Sequence, residues 1–305
     1  MTDDPLSTVL SLIDARAVYT GGLVTGGDFA IRFPPPDKVK VFTLARGAVR
    51  LHLDGEAAPR RIGTGDVVLM APRRGFILAA GNPVPPVEAL EVFGGMSGGY
   101  THGTGDDVLL LGSHIDVGAG GQALLDALPP MCHVIAAGDR AAALRALVDL
   151  MLREVDVGAA GSGQARTALA QLLFLEALRL TLSDADALPP GWLRALGDSR
   201  LAPALKLMHA DPARDWHLPD LARASGMSRT AFAVRFKAAA GQAPLAYLTE
   251  WRMRLAERAL RRGAPIAELA ASVGYASEAA FSNAFKRVAG MSPTMARRRA
   301  AFADV

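Results

Sequence analysis

The tightest constraint on this chain is a segment that occurs twice. From Leu218 it reads LPDLARASGMSRTAFAVRFKAAAGQAP, and from Ile266 it reads IAELAASVGYASEAAFSNAFKRVAGMSP. An acidic-Leu-Ala triplet recurs (Asp220-Leu221-Ala222, Glu268-Leu269-Ala270), then a glycine (Gly226, Gly274), then Phe-x-x-x-Phe-Lys (Phe232, Phe236, Lys237; Phe281, Phe285, Lys286). Each copy closes on Gly-x-x-Pro, Gly241 with Pro244 and Gly290 with Pro293, and the second carries one extra residue between its first Gly and first Phe. Matching glycines, aromatic pairs and closing turns are hard to obtain from core packing alone.

Each copy reads as a helix-turn-helix. Leu218, Leu221 and Ala222 fall three or four apart and make one buried face. The glycine supplies the positive φ that stops a helix and turns the chain. Ser228 and Ser277 are placed to N-cap the second helix, whose two Phe, four apart, face the core while the residues between them point outward. In such a unit the second helix enters the major groove of DNA. Between the copies lies PLAYLTEWRMRLAERALRRGAP, where Tyr247, Leu248, Trp251, Leu255 and Ala259 trace one face. The spacing predicts one long helix, begun by Pro244 and ended by Gly263, that holds two readers a fixed distance apart.

These features, with Trp251-Arg252-x-x-Leu255-Ala256 and the stretch GYASEAAFSNAFKRVAGMSPTMARRR, resemble the DNA-binding domain of the AraC/XylS family of bacterial transcription regulators over residues 200–299. The resemblance implies a sequence-specific regulator whose partner is double-stranded operator DNA, with RNA polymerase as a further partner if the chain activates.

Charge follows the same division. Residues 200–305 carry 17 Lys+Arg against 8 Asp+Glu, while the other 199 carry 16 against 22, so a net +3 averages a basic third and an acidic remainder. That asymmetry fits a polyanion-binding module joined to something that is not one. The exposed face of the first reading helix offers Arg229, Thr230, Ala233, Val234 and Lys237. Arg229 suits guanine or phosphate, and Thr230 and Val234 suit a thymine methyl. Relatives often carry a basic residue where Val234 stands, which implies more apolar contact here. Arg235 is expected to pack its stem and reach a phosphate. The second helix offers Ser277, Glu278, Ala279, Ser282, Asn283 and Lys286; Asn283 suits adenine, and Glu278 either accepts from cytosine or caps the helix. Arg287 and Arg297–Arg299 serve phosphates or are simply solvated. Each candidate is equally readable as an exposed residue without base contact.

The first two thirds read differently. LSTVLSLIDARAVY predicts a helix with Leu6, Val9, Leu10 and Ile13 on one face. From Phe29 come short alternating runs, FAIRF, KVKVFTLARG, AVRLHLDG, DVVLMAP and GFILAAG, spaced as in a sandwich or barrel. IRFPPPD and GTGDVVLMAPRRG resemble the cupin-type sensor domain that precedes the DNA-binding domain in one branch of the family, with Gly65-Asp66-Val67-Val68 and Pro72 as the best local match. Catalytic cupins hold a metal with His-x-His; here His52 is followed by Leu53 and Asp54, so an enzyme is disfavoured and no cofactor or metal is called for. His102, His114 and His133 show no ligand spacing. If the barrel binds a small-molecule effector, candidates for the pocket are Phe33, Val41, Leu51, Leu69 and Phe76, each equally readable as plain core.

Cys132 is the single cysteine, which excludes an internal disulfide or a four-cysteine zinc site and points to a reducing compartment. It is either a redox-tuned thiol beside His133 or an inert buried residue. The acidic MTDDPLST does not read as an export signal, and Leu169–Leu182 is interrupted by Gln171, Glu176 and Arg179, so neither membrane span nor export is expected and the chain is placed in the cytoplasm. Two further helices, 139–157 and 164–182, carry apolar stripes (Leu144, Leu147, Val148, Met151; Leu169, Leu172, Leu173, Leu175, Leu180) that pack either on the barrel or on a second subunit as a homodimer.

The expected architecture is α+β: a cupin-like sensor barrel (1–135), a helical coupling or dimerisation segment with linker (136–199), and an all-α DNA-binding domain with two helix-turn-helix units (200–305). Two alternatives stand beside effector control: an effector-independent regulator whose degenerate barrel serves dimerisation or protein contacts, and a metal-dependent cupin enzyme that also binds DNA.

Overall fold

The computed structural model describes residues 4–94, 98–118 and 121–303; residues 1–3 of the acidic N-terminus lie outside them. The chain forms two compact units: 16–116 with 124–184, and 1–15 with 117–123 and 185–305. The second unit begins with α1 (Pro5–Leu12), capped by Asp4, whose carboxylate accepts from the Ser7 amide at 3.0 Å. The helix expected to run on to Tyr19 stops here. Asp14 takes φ 50°, and Arg16–Tyr19 turn into a strand because β10 supplies their backbone partners.

The first unit is rich in sheet. Its strands are β1 (Arg16–Gly26), β2 (Phe29–Phe33), β3 (Val39–Arg46), β4 (Ala48–Leu53), β5 (Arg60–Gly63), β6 (Val67–Met70), β7 (Phe76–Ala80), β8 (Val87–Glu88), β9 (Gly98–Gly103), β10 (Val108–Asp116) and β11 (Met131–Val134). A six-stranded sheet runs β11-β6-β3-β10-β1-β9 and a five-stranded one β5-β4-β7-β2-β8. A short α2 (Ala89–Phe93) follows β8, and α3 (Gln122–Ala127) lies between β10 and β11.

The apolar core holds side chains from both sheets: Phe42, Leu44, Val68 and Met70 from one, and Ile31, Leu51, Ile62 and Phe76 from the other. In β4 Val49, Leu51 and Leu53 are buried while Arg50 and His52 point away, as alternation requires. β6 does not alternate: Val67, Val68, Leu69 and Met70 are all buried. Both faces of a strand so placed are covered, and a continuous apolar run is the result. Its second cover is the helix pair α4 (Ala142–Val157) and α5 (Ser162–Leu182), packed on the outer face of the six-stranded sheet. Gln171 Oε1 accepts from the Ala17 amide at 2.7 Å, and Arg166 sits 5.3 Å over the Tyr19 ring.

The second unit continues with α6 (Trp192–Gly197), α7 (Ala202–Ala210), α8 (Leu218–Ala224), α9 (Arg229–Ala240), α10 (Pro244–Arg261), α11 (Ile266–Ser272), α12 (Glu278–Ala289) and α13 (Pro293–Ala303). α10 spans about 27 Å at 1.5 Å per residue. Among the described residues no helix is long and apolar enough to cross a membrane.

Candidate nucleic-acid interface

Each repeat builds its own core, and α10 contributes to both. Phe232 and Phe236 meet Leu221, Trp216, Leu205, Tyr247 and Leu248 in the first lobe. Phe281 and Phe285 meet Leu269, Val273, Met253, Ala256 and Leu260 in the second. All four Phe are fully buried, each worth roughly 3 to 5 kcal/mol against truncation to Ala. α1 lies on the middle of the connector, with Val9 and Leu12 against Trp251 and Leu255.

With the Phe pairs buried, the opposite stripe of each reading helix is fixed. Ser228 Oγ accepts from the Ala231 amide and Ser277 Oγ from the Ala280 amide, each at 3.2 Å, so both helices start where the sequence predicts. The turn glycines Gly226 and Gly274 take φ 61° and 82°. On α9 the stripe is Thr230, Ala233, Val234 and Lys237; on α12 the same helical positions hold Ala279, Ser282, Asn283 and Lys286. Thr230, Val234, Lys237, Asn283 and Lys286 are exposed, as are Arg229, Glu278 and Arg287, while Ala233 and Ser282 are half-buried. Val234, 66% exposed, is an apolar side chain held out in water with no packing reason. Ser277 is also exposed, but its hydroxyl is committed to the helix cap.

Basic residues divide into those bound within the fold and those left free. Arg235 is bound through one atom: its Nε donates to Asp198 Oδ2 at 2.7 Å, while the side chain stays 43% exposed. On α10, Arg254 pairs with Glu250 and Arg261 with Glu257 one turn apart. Arg252 caps two loop carbonyls, those of Pro212 and Arg214, a role its place in the sequence did not reveal. Arg229, Lys237, Lys286 and Arg287 form no ion pair or hydrogen bond among the described residues, and the exposed Arg297, Arg298 and Arg299 on α13 are likewise unpaired.

Comparison with known proteins bears on both units. A cupin family model matches residues 4–183, and a helix-turn-helix domain model matches residues 221–299. An AraC-like transcription regulator from Streptomyces lividans is 41% identical over 95% of this chain and 96% of its own length. The chain belongs to the AraC-like transcription regulators. A second such relative, from Streptomyces antibioticus, is 40% identical over 95% of this chain and 97% of its own. The solved DNA-binding domain of AdpA in complex with a target DNA aligns with 33% of this chain and 91% of its own, at 30% identity and a TM-score of 0.32.

In the cupin part of this AraC-like regulator, the five pocket candidates are divided between two surfaces. Phe33, Leu51 and Phe76 face the space between the sheets, where the rings of Phe33 and Phe76 stack at 4.7 Å and Phe42 lies 6.0 Å from Phe76. Val41 and Leu69 have the opposite strand parity. Val41 lines a crevice of about 10 Å³ with Thr43, Val67, Met151 and Leu173 under the helix pair, which is room for about one water. An open groove of about 440 Å³ lies instead on the outer face of the five-stranded sheet, among Ala30, Arg50, His52, Ile77, Ala79 and the Pro83–Pro86 loop.

Other polar candidates in this AraC-like regulator serve the fold. Asp66, from the Gly-Asp-Val-Val match, accepts from the amides of Gly63 and Ala136 at 2.8 Å each, and His133 Nε2 lies 2.9 Å away. His114 lies between Lys38 and Asp116, and burial holds its pKa below the usual histidine value. Cys132 is buried, and burial pushes its thiol up to about 12. Among the described residues no three His, Cys, Asp or Glu side chains converge as metal ligands would.

Proposed function

We propose that this regulator reads a bipartite operator sequence-specifically, with α9 and α12 in successive major-groove faces. The observation that carries this reading is the pair of outward stripes, Thr230-Ala233-Val234-Lys237 and Ala279-Ser282-Asn283-Lys286, held on one connector by equivalent buried Phe pairs. Arg229 addresses guanine or phosphate, Thr230 and Val234 thymine methyls, Asn283 adenine, and Glu278 cytosine. Lys237, Lys286 and Arg287 supply phosphate contacts, and Ser277 contributes as the cap that aims α12. Sequencing duplexes selected by the purified full-length chain tests the proposal: two conserved half-sites about one helical turn apart are expected, and a selected pool without bipartite pattern overturns it.

The cupin part, taken as 1–135, is the proposed sensor of a small molecule, coupled to the 200–305 reader through the 136–199 segment in the reducing cytoplasm. The open groove of about 440 Å³ on the outer face of the five-stranded sheet has room for a small molecule. Effector and operator then alter each other's affinity reciprocally. A compound that raises the melting temperature yet leaves operator affinity unchanged overturns the coupling. One observation favours the second reading, an effector-independent barrel: Leu51 and Phe76 are 0% and 3% exposed in the inter-sheet core. Dimerisation through α4 and α5 is supported by Leu150 and Leu172, 45% and 48% exposed on that helix pair. RNA polymerase is a partner where the operator position makes the chain an activator. A catalytic role is not proposed, in keeping with the relatives' designation as regulators.

A further inference from the structure

The connector is not the sole link between the two reading lobes. Arg252, at the middle of α10, donates from Nε to the Pro212 carbonyl at 2.6 Å and from Nη2 to the Arg214 carbonyl at 2.8 Å. Its guanidinium also stands 5.9 Å from the ring centre of Tyr275, in the turn of the second lobe. Between those two carbonyls, Ala213 meets the same turn. A Cβ added to Gly274 would lie 2.3 Å from the Ala213 carbonyl oxygen, so Gly274 is needed both for its φ of 82° and for this backbone approach.

The 211–216 loop is itself tied to the first lobe. Asp211 accepts from the Arg214 amide at 3.2 Å through its side chain and from Trp216 Nε1 at 2.8 Å through its carbonyl. Arg214 covers the Trp216 ring at 4.1 Å, and Trp216 belongs to the first lobe's core. The second lobe thus reaches the first by a route separate from the peptide chain of α10. Each lobe is otherwise held to α10 by its own core, Tyr247 and Leu248 in the first and Met253, Ala256 and Leu260 in the second. The loop contact closes a triangle and limits rocking of one lobe against the other about the helix.

We infer that the half-site spacing this protein demands is set by the Arg252–Gly274 clamp on the Pro212–Arg214 backbone, and not by the length of α10 alone. Arg252 and Gly274 act here as positioning residues, outside the base-reading set and outside both lobe cores. The inference rests on the proposed reading of α9 and α12 as two DNA readers.

The test uses the full-length chain and duplexes that the wild type selects from a random-core library. Three probes are compared: the parent, one with a base pair inserted between the half-sites, and one with the second half-site scrambled. The insertion rotates one half-site by about 35° and shifts it by about 3.4 Å. The wild type is expected to lose about tenfold or more in affinity on insertion. Arg252→Met, which keeps the stem and removes the donors, is expected to lose under about threefold, and Gly274→Ala to behave alike. Both variants should bind the scrambled probe within about twofold of wild type, because the first lobe's core is untouched. An unchanged insertion penalty in both variants overturns the clamp. So does loss of scrambled-probe binding in both, which marks a general structural role. A library yielding no bipartite duplex overturns the two-reader reading itself, a result distinct from either.

Discussion

Arg235 is anchored to Asp198, Nε to Oδ2, at 2.7 Å, which ties one nitrogen of this exposed guanidinium to its own fold. Lys237, two residues on, is exposed and unpaired. The two should therefore separate in a salt titration of operator binding. Lys237→Ala and Lys286→Ala are each expected to shallow the log K against log salt slope by about 1. Arg235→Ala should shallow that slope less than either lysine variant and cost ~1 kcal/mol in denaturant unfolding, because Asp198 Oδ2, on a side chain 12% exposed, loses its donor.

Asn283 occupies on α12 the position that Val234 occupies on α9. Asn283→Ala is expected to relax preference at one base position, costing about 1 to 3 kcal/mol on the selected site with non-specific affinity nearly intact. Val234→Asn should shift selectivity in the other half-site from thymine toward adenine. Competition binding against single-base operator variants checks both; a uniform loss across all sequences would reassign Asn283 to the phosphate backbone.

The hydroxyls of Ser228 and Ser277 each satisfy a helix amide at 3.2 Å. Replacing either by Ala is expected to lower unfolding free energy by ~1 kcal/mol. The double variant should lose the sum, because the two caps belong to separate lobes. A coupling well above measurement error would show that the two caps communicate through the shared connector.

His209 is stacked 4.0 Å from Trp251 and shares a 2.8 Å hydrogen bond with the Tyr247 hydroxyl. Burial lowers its pKa to about 4. The folded value lies below the unfolded one, so the unfolded state takes up the proton first. The stabilising contribution is complete above about pH 6.5 and is lost as pH falls toward 4. From pH 7 to pH 5 the wild type should lose about 2 kcal/mol that His209→Gln does not, measured by chemical denaturation at each pH.

Cys132 reports on opening of the sheet-rich unit. With its thiol pushed up to about 12 by burial, it should resist alkylation at pH 8 in the native chain and react at once in guanidinium. Native-state labelling at the rate of a free thiol would contradict the buried placement.

Legibility in the sequence followed locality. The runs FAIRF, KVKVFTLARG, AVRLHLDG, DVVLMAP and GFILAAG became β2, β3, β4, β6 and β7, because each carries its own period or apolar run between turn residues. β1, β9 and β10 were not legible. Gly21, Gly22, Gly98, Gly99 and Gly112 break their pattern, and a register shift between Tyr19 and Gly21 breaks it again, so their partners on neighbouring strands decide their state. The parity that sends Phe33, Leu51 and Phe76 inward but Val41 and Leu69 toward α4 and α5 was hidden for a related reason. Both sides of the six-stranded sheet are apolar, so burial alone does not tell them apart.

What the sequence by itself determined was the reader: two helix-turn-helix units, their serine caps, their buried Phe pairs and the connector between them. These are properties of residues three or four apart, where helical geometry leaves little choice. Only the tertiary structure decided which cations stay free. Arg235 and Arg252 look in sequence like Arg229, yet Asp198 lies 37 residues from the first and Pro212 lies 40 from the second. Arg254 and Arg261 meet carboxylates one turn away, which the sequence records, whereas the partners of Arg235 and Arg252 come from long-range contacts that no local pattern records.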